Sequence, residues 1–172
     1  MDSMVEQIKN CNIYNFELCD KWTLWAHLPY DKTWDLDSYK QISDITSFED
    51  AITLFENLPE IIIKNGMLFL MRKGISPMWE DPQNKDGGCF SYTINQNIVV
   101  NVWKKISYIL VGETLTNEKY SKNITGITIS PKKNFCIIKV WLTNCEEHEL
   151  NKIIDIDGLS NQECIFKKHI GN

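Results

Sequence analysis

The folding options of this chain are narrowed chiefly by two apolar stripes of helical spacing, set among short strand-like segments. The first stripe follows Ser47 and consists of Phe48, Ala51, Ile52, Phe55 and Leu58. Ser47 and Asp50 match a capping box at its start, and Pro59 predicts its end. The second stripe runs from position 99 to 110, with Gly112 expected at C′. A helix with one apolar face must bury that face against another layer.

The segments around these helices are typical of strands. Strands are predicted over 22–28, 39–45, 66–72, 126–130, 135–142 and 164–169, a long loop over 74–88, and a third helix over 146–156. Strands outnumber helices, and strand and helix alternate poorly along the chain. The sequence therefore predicts an α+β fold, with an antiparallel sheet covered by helices on one face. The other face is expected to be solvated and free to carry a site.

Composition excludes several classes of protein. The 172 residues contain no linker or repeat, which predicts a single domain. A net charge of −5 argues against general coating of nucleic acid. The six cysteines show no C-x-x-C spacing, and no apolar stretch approaches the length of a membrane span. No nucleotide-loop or metal-helix motif occurs, so no cofactor or metal is expected, and a reduced, cytoplasmic protein is predicted.

Two tryptophans stand out because they lie in polar loops. Trp34 follows a run of polar residues, and Trp79 lies in the loop over 74–88. An indole without a periodic apolar partner is costly to expose, and aromatic platforms for nucleobases are built from such residues. Four other tryptophans fall within strand or helix patterns and are assigned to the core by default: Trp22, Trp25, Trp103 and Trp141.

Glu80 directly follows Trp79 and could read a guanine edge. The N1–H and N2 amino groups of guanine are adjacent donors that one carboxylate accepts together. A 7-methylated guanine is cationic, so indole faces attract it by about 2 kcal/mol of cation–π energy as well as by stacking. Lys132 and Lys133 could reach attached phosphates. Without the neighbouring Trp79, Glu80 and Asp81 would be interpreted as a solvated acid pair. The pair of Lys132 and Lys133 is likewise more often a solvated surface feature than a phosphate site.

With these residues in place, the chain resembles the eukaryotic translation initiation factor 4E family, which binds the 7-methylguanosine cap of messenger RNA. The matching stretches occur in family order, at 21–25, 31–34, 74–81, 84–88, 109–113 and 140–145. The resemblance implies a cap-binding domain over 16–172, preceded by a flexible N-terminal extension over 1–15. It also implies a curved antiparallel sheet with three helices on its convex face and the cap in its concave face.

The resemblance assigns roles to individual positions. The implied cap-binding residues are Trp34, Trp79, Glu80, Trp141, Lys132 and Lys133. The first two tryptophans would sandwich the base, the glutamate would bind its N1 and N2 donors, and Trp141 would touch the methyl group. Lys132 occupies the position of a phosphate-binding basic residue, with Lys133 as a substitute. Asn134 and Ile137 stand where relatives carry further basic residues, and Cys89 replaces a frequent arginine.

The convex face departs further from the family. It would receive a Tyr-x-x-x-x-Leu-hydrophobic peptide from a 4G-type scaffold factor or a 4E-binding protein. Phe48, Ile52 and Lys104 mark this surface, and Ile52 replaces the usual tryptophan. A non-enzymatic, monomeric protein that recruits capped mRNA is therefore one hypothesis. A cap-occupying repressor that does not bind the scaffold is a second. A metal-dependent nucleotide-processing enzyme that uses Glu80 or Asp81 is a third.

Overall fold

A seven-stranded antiparallel sheet forms the body of the protein. The computed structural model describes residues 16–28, 30–146 and 148–169, so the extension predicted over 1–15 lies outside the described residues. The strands are β1 Glu17–His27, β2 Tyr39–Ser47, β3 Met67–Arg72, β4 Gly88–Asn95, β5 Ile124–Pro131, β6 Phe135–Leu142 and β7 Ile165–Lys168. Their spatial order is β2-β1-β3-β5-β6-β4-β7. The α+β class and the curved open sheet are confirmed.

Helices cover one face of this sheet. They are α1 Phe48–Asn57, α2 Glu60–Asn65, α3 Val99–Val111 and the single turn α4 Glu118–Ser121. Short 3-10 turns occur at Leu36–Ser38, Leu150–Lys152 and Asn161–Glu163. The buried faces of α1, α2 and α3 join the main core through Phe55, Ile63 and Trp103. Within the described ranges, no helix is both long enough and apolar enough to cross a bilayer.

The predicted capping box at the start of α1 is confirmed. The Ser47 hydroxyl accepts the backbone N–H of Asp50 at 3.1 Å, and the Asp50 carboxylate accepts that of Ser47 at 3.1 Å. The helix ends at Asn57, and Pro59 is the N-cap residue of α2. Because proline lacks an N–H, it suits a helix start as well as a helix stop. The run of isoleucines after it therefore forms a second helix that the sequence analysis did not identify.

The alternation of β3 shows that both faces of the sheet are apolar. Leu68 and Leu70 point into the core beneath the helices. Phe69 and Met71 point to the opposite face, where they pack in a second apolar cluster with Tyr39, Ile75, Cys89 and Trp141. The expectation that this face is simply solvated is therefore wrong in part, because its centre is buried under loops and aromatic side chains.

The third helix predicted over 146–156 is wrong. All of that range except residue 147 is described, and it contains only the 3-10 turn at 150–152. Ile153 forms an antiparallel bridge with Thr116, and the N–H of Ile154 donates to the carbonyl of Leu115 at 3.0 Å. These bonds hold the backbone extended, so the amides are not available for a helical ladder.

The predicted end of α3 is also corrected in detail. Gly112 is the C-cap residue with an ordinary φ of −78°, and the left-handed conformation falls on Glu113, with φ of 57°. Such a φ disfavours side chains other than glycine and asparagine. Here the Glu113 carboxylate accepts two hydrogen bonds from the buried Arg72 guanidinium, at 2.6 and 2.8 Å. The ion pair ties the end of α3 to the end of β3.

Candidate ligand-binding site

A cavity of about 350 Å³ opens on the concave face of the sheet. It is lined by Trp34, Tyr39, Met67, Phe69, Pro77, Met78, Trp79, Glu80, Cys89, Lys139, Trp141 and His169. Its floor is the second apolar cluster, and its rim comes from the β1–β2 loop, the β3–β4 loop and the end of β7. A depression of about 470 Å³ beside α1 is larger, but none of its lining residues is aromatic or cationic.

Trp34 forms one wall of the cavity. Its ring is 55% exposed and stacks on His27, with ring centroids 4.1 Å apart and an interplanar angle of 5°. The Asp31 carboxylate accepts the Thr33 N–H at 2.9 Å, and the Thr33 carbonyl lies 2.8 Å from His27 Nε2. These contacts fix the loop, so one face of the Trp34 indole is covered by imidazole and the other face remains for a ligand.

Trp79 forms another wall and is 47% exposed. Its loop is held from within by two polar side chains. The Asp81 carboxylate accepts the Ser76 N–H at 2.8 Å, and the amide of the fully buried Asn84 donates to the Met78 carbonyl at 2.8 Å. The loop is long and polar, but its internal hydrogen bonds hold the indole at the cavity.

Glu80 supplies the acidic group of the site. Its carboxylate accepts a hydrogen bond from the Trp79 indole N–H. Burial, together with the Glu80 charge, raises the pKa of Tyr39 to about 12, so the phenol is neutral at the cavity wall. An exposed carboxylate with free acceptor positions beside an indole ring can bind paired N–H donors of a planar ligand.

The far wall combines β6 with the end of β7. Lys139 and Trp141 are two residues apart on β6 and therefore point to the same face of the sheet. The His169 ring centroid lies 4.7 Å from that of Trp141. His169 Nδ1 lies 2.8 Å from the Asn84 carbonyl and therefore donates to it. Burial lowers the pKa of His169 against the opposing effect of that carbonyl, and the Lys139 charge lowers it further. The imidazole is thus neutral at neutral pH.

The structure brings together four of the six predicted site residues. Trp34, Trp79, Glu80 and Trp141 all line the cavity. Lys132 and Lys133 lie instead on the exposed β5–β6 hairpin, outside the lining residues. Three polar lining residues were not predicted from the sequence: Tyr39, Lys139 and His169. For Lys139 a signal existed, because it breaks the apolar pattern on the same strand face as Trp141.

The predicted partner surface lies on the opposite side of the protein. Phe48 and Ile52 on α1 are 46% and 53% exposed. Lys104 on α3 pairs with Glu56 at 2.8 Å, and the Tyr108 hydroxyl donates to the same carboxylate at 2.9 Å. The surface is therefore apolar on α1, and the Lys104–Glu56 ion pair forms its border toward α3. In the described ranges, no three His, Cys, Asp or Glu side chains gather as a metal site.

Comparison with known proteins shows the family to which the chain belongs. The model of the family described as eukaryotic initiation factor 4E matches residues 17–169. The fission yeast eukaryotic translation initiation factor 4E-2 is 31% identical over 160 residues, covering 84% of this chain and 63% of its own length. The human factor 4E is 29% identical over 139 residues, covering 77% and 63%. The chain thus spans less than two thirds of these curated relatives.

Solved structures show the same fold at lower identity. Ascaris suum eIF4E-3, in complex with an m7G cap, superimposes with a TM-score of 0.76 at 19% identity, covering 92% of this chain and 93% of that one. C. elegans eIF4E-3, in complex with the 4E-binding protein Mextli and a cap analog, also gives 0.76, at 21% identity with 90% and 93% covered.

Proposed function

Because the chain belongs to the eukaryotic initiation factor 4E family, we propose that it binds the 7-methylguanosine cap of messenger RNA and recruits capped messages for translation. The observation that carries the proposal is the meeting of two exposed indoles, Trp34 and Trp79, at one cavity. They come from different loops, and each loop is fixed by its own hydrogen bonds. Exposed aromatic walls at a cavity suit a flat ligand.

The base would lie between the two rings. Stacking contributes about 1–3 kcal/mol per base, and a desolvated cation–π contact adds about 2 kcal/mol for a positively charged ring. The open face of Trp34 and the ring of Trp79 would supply these contacts, with Trp141 against the methyl group. The pair therefore favours 7-methylguanine over neutral guanine.

Glu80 would bind the guanine edge. To do so, its carboxylate exchanges the Trp79 indole donor for the N1–H and N2 donors of the base. The exchange replaces one hydrogen bond by two, to a ligand in a partly enclosed site. Lys132 and Lys133 are proposed as contacts to the outer phosphates, since their hairpin lies beyond the lining of the cavity.

The test is retention on immobilised 7-methyl-GTP. The protein should be retained, and free 7-methyl-GTP should elute it where GTP does not. Trp79→Ala and Glu80→Gln should each weaken binding by about tenfold or more, since a lost stacked ring or an unpaired donor costs roughly 1–3 kcal/mol. Asp86→Asn, an exposed acid of the same segment that does not line the cavity, is the matched control. Unchanged retention of both site variants, or equal elution by GTP, would refute the proposal.

The helical face would bind a protein partner, as the complexes of relatives with 4E-binding proteins suggest. The exposed Phe48 and Ile52 favour an apolar peptide, whereas the Lys104–Glu56 ion pair reduces the apolar area that the peptide could cover. The expected result is that a Tyr-x-x-x-x-Leu-hydrophobic peptide binds and that Ile52→Asp weakens it at least tenfold. Calorimetric titration, with a peptide in which Tyr and Leu are replaced by Ala as control, measures this. Absence of binding would favour the repressor hypothesis.

We further propose that the protein acts as a non-enzymatic monomer in the cytoplasm, where capped messages are translated. Its named relatives are initiation factors. The alternative of a metal-dependent enzyme gains no support from the described residues: Asp81 is engaged in holding the Trp79 loop through the Ser76 and Gln83 amides.

A further inference from the structure

We infer that Lys139, on the floor strand β6, binds the phosphate group nearest the base, ahead of the hairpin lysines. The inference rests on the proposed function, because it concerns the phosphate chain of the same ligand. It assigns a cation to a position at which the family resemblance assigned none. It also explains how a chain with Asn134 and Ile137 in place of basic residues can hold a charged ligand.

The register of the sheet places Lys139 inside the site. It lies beside Ser91 of β4 and Thr128 of β5, and two residues from Trp141 on the same strand face. Thr128 in turn lies beside Phe69 of β3, which lines the cavity. Lys139 is half-buried and lines the cavity itself. Its ammonium group therefore belongs to the same cavity as the exposed indole rings, on the strand that also carries Trp141.

Two donors near Lys139 also lack an acceptor in the part of the chain that the structure describes. Trp141 is 7% exposed, and its buried indole N–H has no hydrogen-bond acceptor among the described residues. The buried hydroxyl of Thr128 likewise makes no hydrogen bond within the described ranges. Both polar atoms are buried, and of the two residues only Trp141 lines the cavity. An anionic oxygen bound to the Lys139 ammonium would lie near the Trp141 indole, whose N–H lacks an acceptor.

The local charges favour an anion at Lys139. No carboxylate in the described part of the chain forms an ion pair with it, unlike Lys64, Lys73 and Lys104. A partly desolvated ammonium without a counter-ion attracts an anion more strongly than a solvated one does. Lys132 and Lys133 are exposed, so their ammonium groups are less desolvated than that of Lys139.

The experiment is a fluorescence titration with 7-methylguanosine, 7-methyl-GMP and 7-methyl-GTP at constant ionic strength. In the unaltered protein each phosphate should tighten binding. Lys139→Gln should lose at least tenfold for 7-methyl-GMP, because it removes a hydrogen bond to a charged group, while its affinity for 7-methylguanosine stays within twofold. A Lys132→Gln/Lys133→Gln variant should weaken 7-methyl-GTP more than 7-methyl-GMP. Lys105→Gln, which removes an exposed charge on α3, is the matched control.

Three results would overturn the inference. Lys139→Gln could keep the full gain from the first phosphate. It could lose nucleoside and nucleotides equally, which would show a packing role only. The hairpin variant could lose the gain for 7-methyl-GMP in place of Lys139→Gln. If the unaltered protein binds none of the three ligands, the proposed function itself fails, and that outcome is distinct from these.

Discussion

At the scale of single residues, His27 decides how firmly Trp34 is held. The imidazole lies parallel to the indole at 4.1 Å, and its Nε2 donates to the Thr33 carbonyl next to Trp34. His27 is itself buried, with Tyr39 in edge contact at 5.2 Å. The exposed indole is therefore supported by a fixed imidazole ring. A ligand that stacks on the indole need not first order a mobile side chain.

Removing the His27 imidazole should weaken cap binding, although His27 itself would not contact the ligand. His27→Ala deletes an aromatic pair that contributes about 0.5–1.5 kcal/mol, so the dissociation constant for 7-methyl-GTP should rise about two- to tenfold. Fluorescence titration measures the change. His27→Phe restores the ring and should recover most of the affinity. Equal affinities for all three proteins would show that Trp34 needs no support.

Residues of the site could be predicted from the sequence where the chemistry of a side chain did not fit the polarity of the segment around it. Trp34 and Trp79 are apolar rings in polar loops, and that conflict marked them before the structure was known. His169 could not be found in this way, because a lone histidine after a strand has no distinguishing neighbour in sequence. Its role depends on Asn84, 85 residues away, whose carbonyl holds its ring. Contacts of that range are set by the fold alone.

At the scale of elements, the start of α1 depends on Asp50. Its carboxylate accepts the backbone N–H and the hydroxyl of Thr46 at 2.9 and 2.8 Å, as well as the Ser47 amide. These hydrogen bonds, led by the one from the Thr46 backbone, hold the pKa of Asp50 below its ordinary value of 3.8. A carboxyl with a lowered folded pKa adds stability that is complete above the unfolded value and is lost as the pH falls through the folded one.

Substitutions at this cap should therefore show a defined pH dependence. Ser47→Ala should lower the free energy of unfolding by about 1 kcal/mol at neutral pH. Asp50→Asn should also destabilise, and its difference from the unaltered protein should shrink as the pH falls below 3.8. Urea unfolding at several pH values measures both. Asp37→Asn is a control on an exposed acid; a constant Asp50→Asn difference at all pH values would contradict the argument.

Helices and strands with a clear cap, apolar stripe or turn in their own sequence were predicted. Segments whose backbone conformation depends on pairing with distant residues were not. The capping box and apolar stripe located α1, and the β5–β6 hairpin was recovered from its turn. β4 was not predicted, although Phe90, Tyr92 and Ile94 alternate and the predicted loop ends at Gly88, where this strand begins. The helix expected over 146–156 failed because its backbone pairs with residues near Thr116, a choice that no local pattern encodes.

At the scale of the whole molecule, the sheet has an apolar cluster on each face. The helices bury one, and the loops that carry Trp34 and Trp79 close over the other. The sequence indicated a helical layer on one side and an available opposite face. It could not show that Phe69, Met71 and Trp141 would pack there as a floor, because that requires knowing which strands are neighbours.

This floor has a consequence for how the protein can change. Of the side chains that would touch a bound base, Trp141 belongs to this floor, whereas Trp34 and Trp79 stand exposed above it. A substitution at Trp141 that reshapes the cavity must therefore disturb the packing of the sheet as well, whereas the exposed rings and the cations along the edge can be exchanged with less effect on folding. The bottom of the cavity is thus tied to the survival of the fold, and its rim is free to drift toward other ligands.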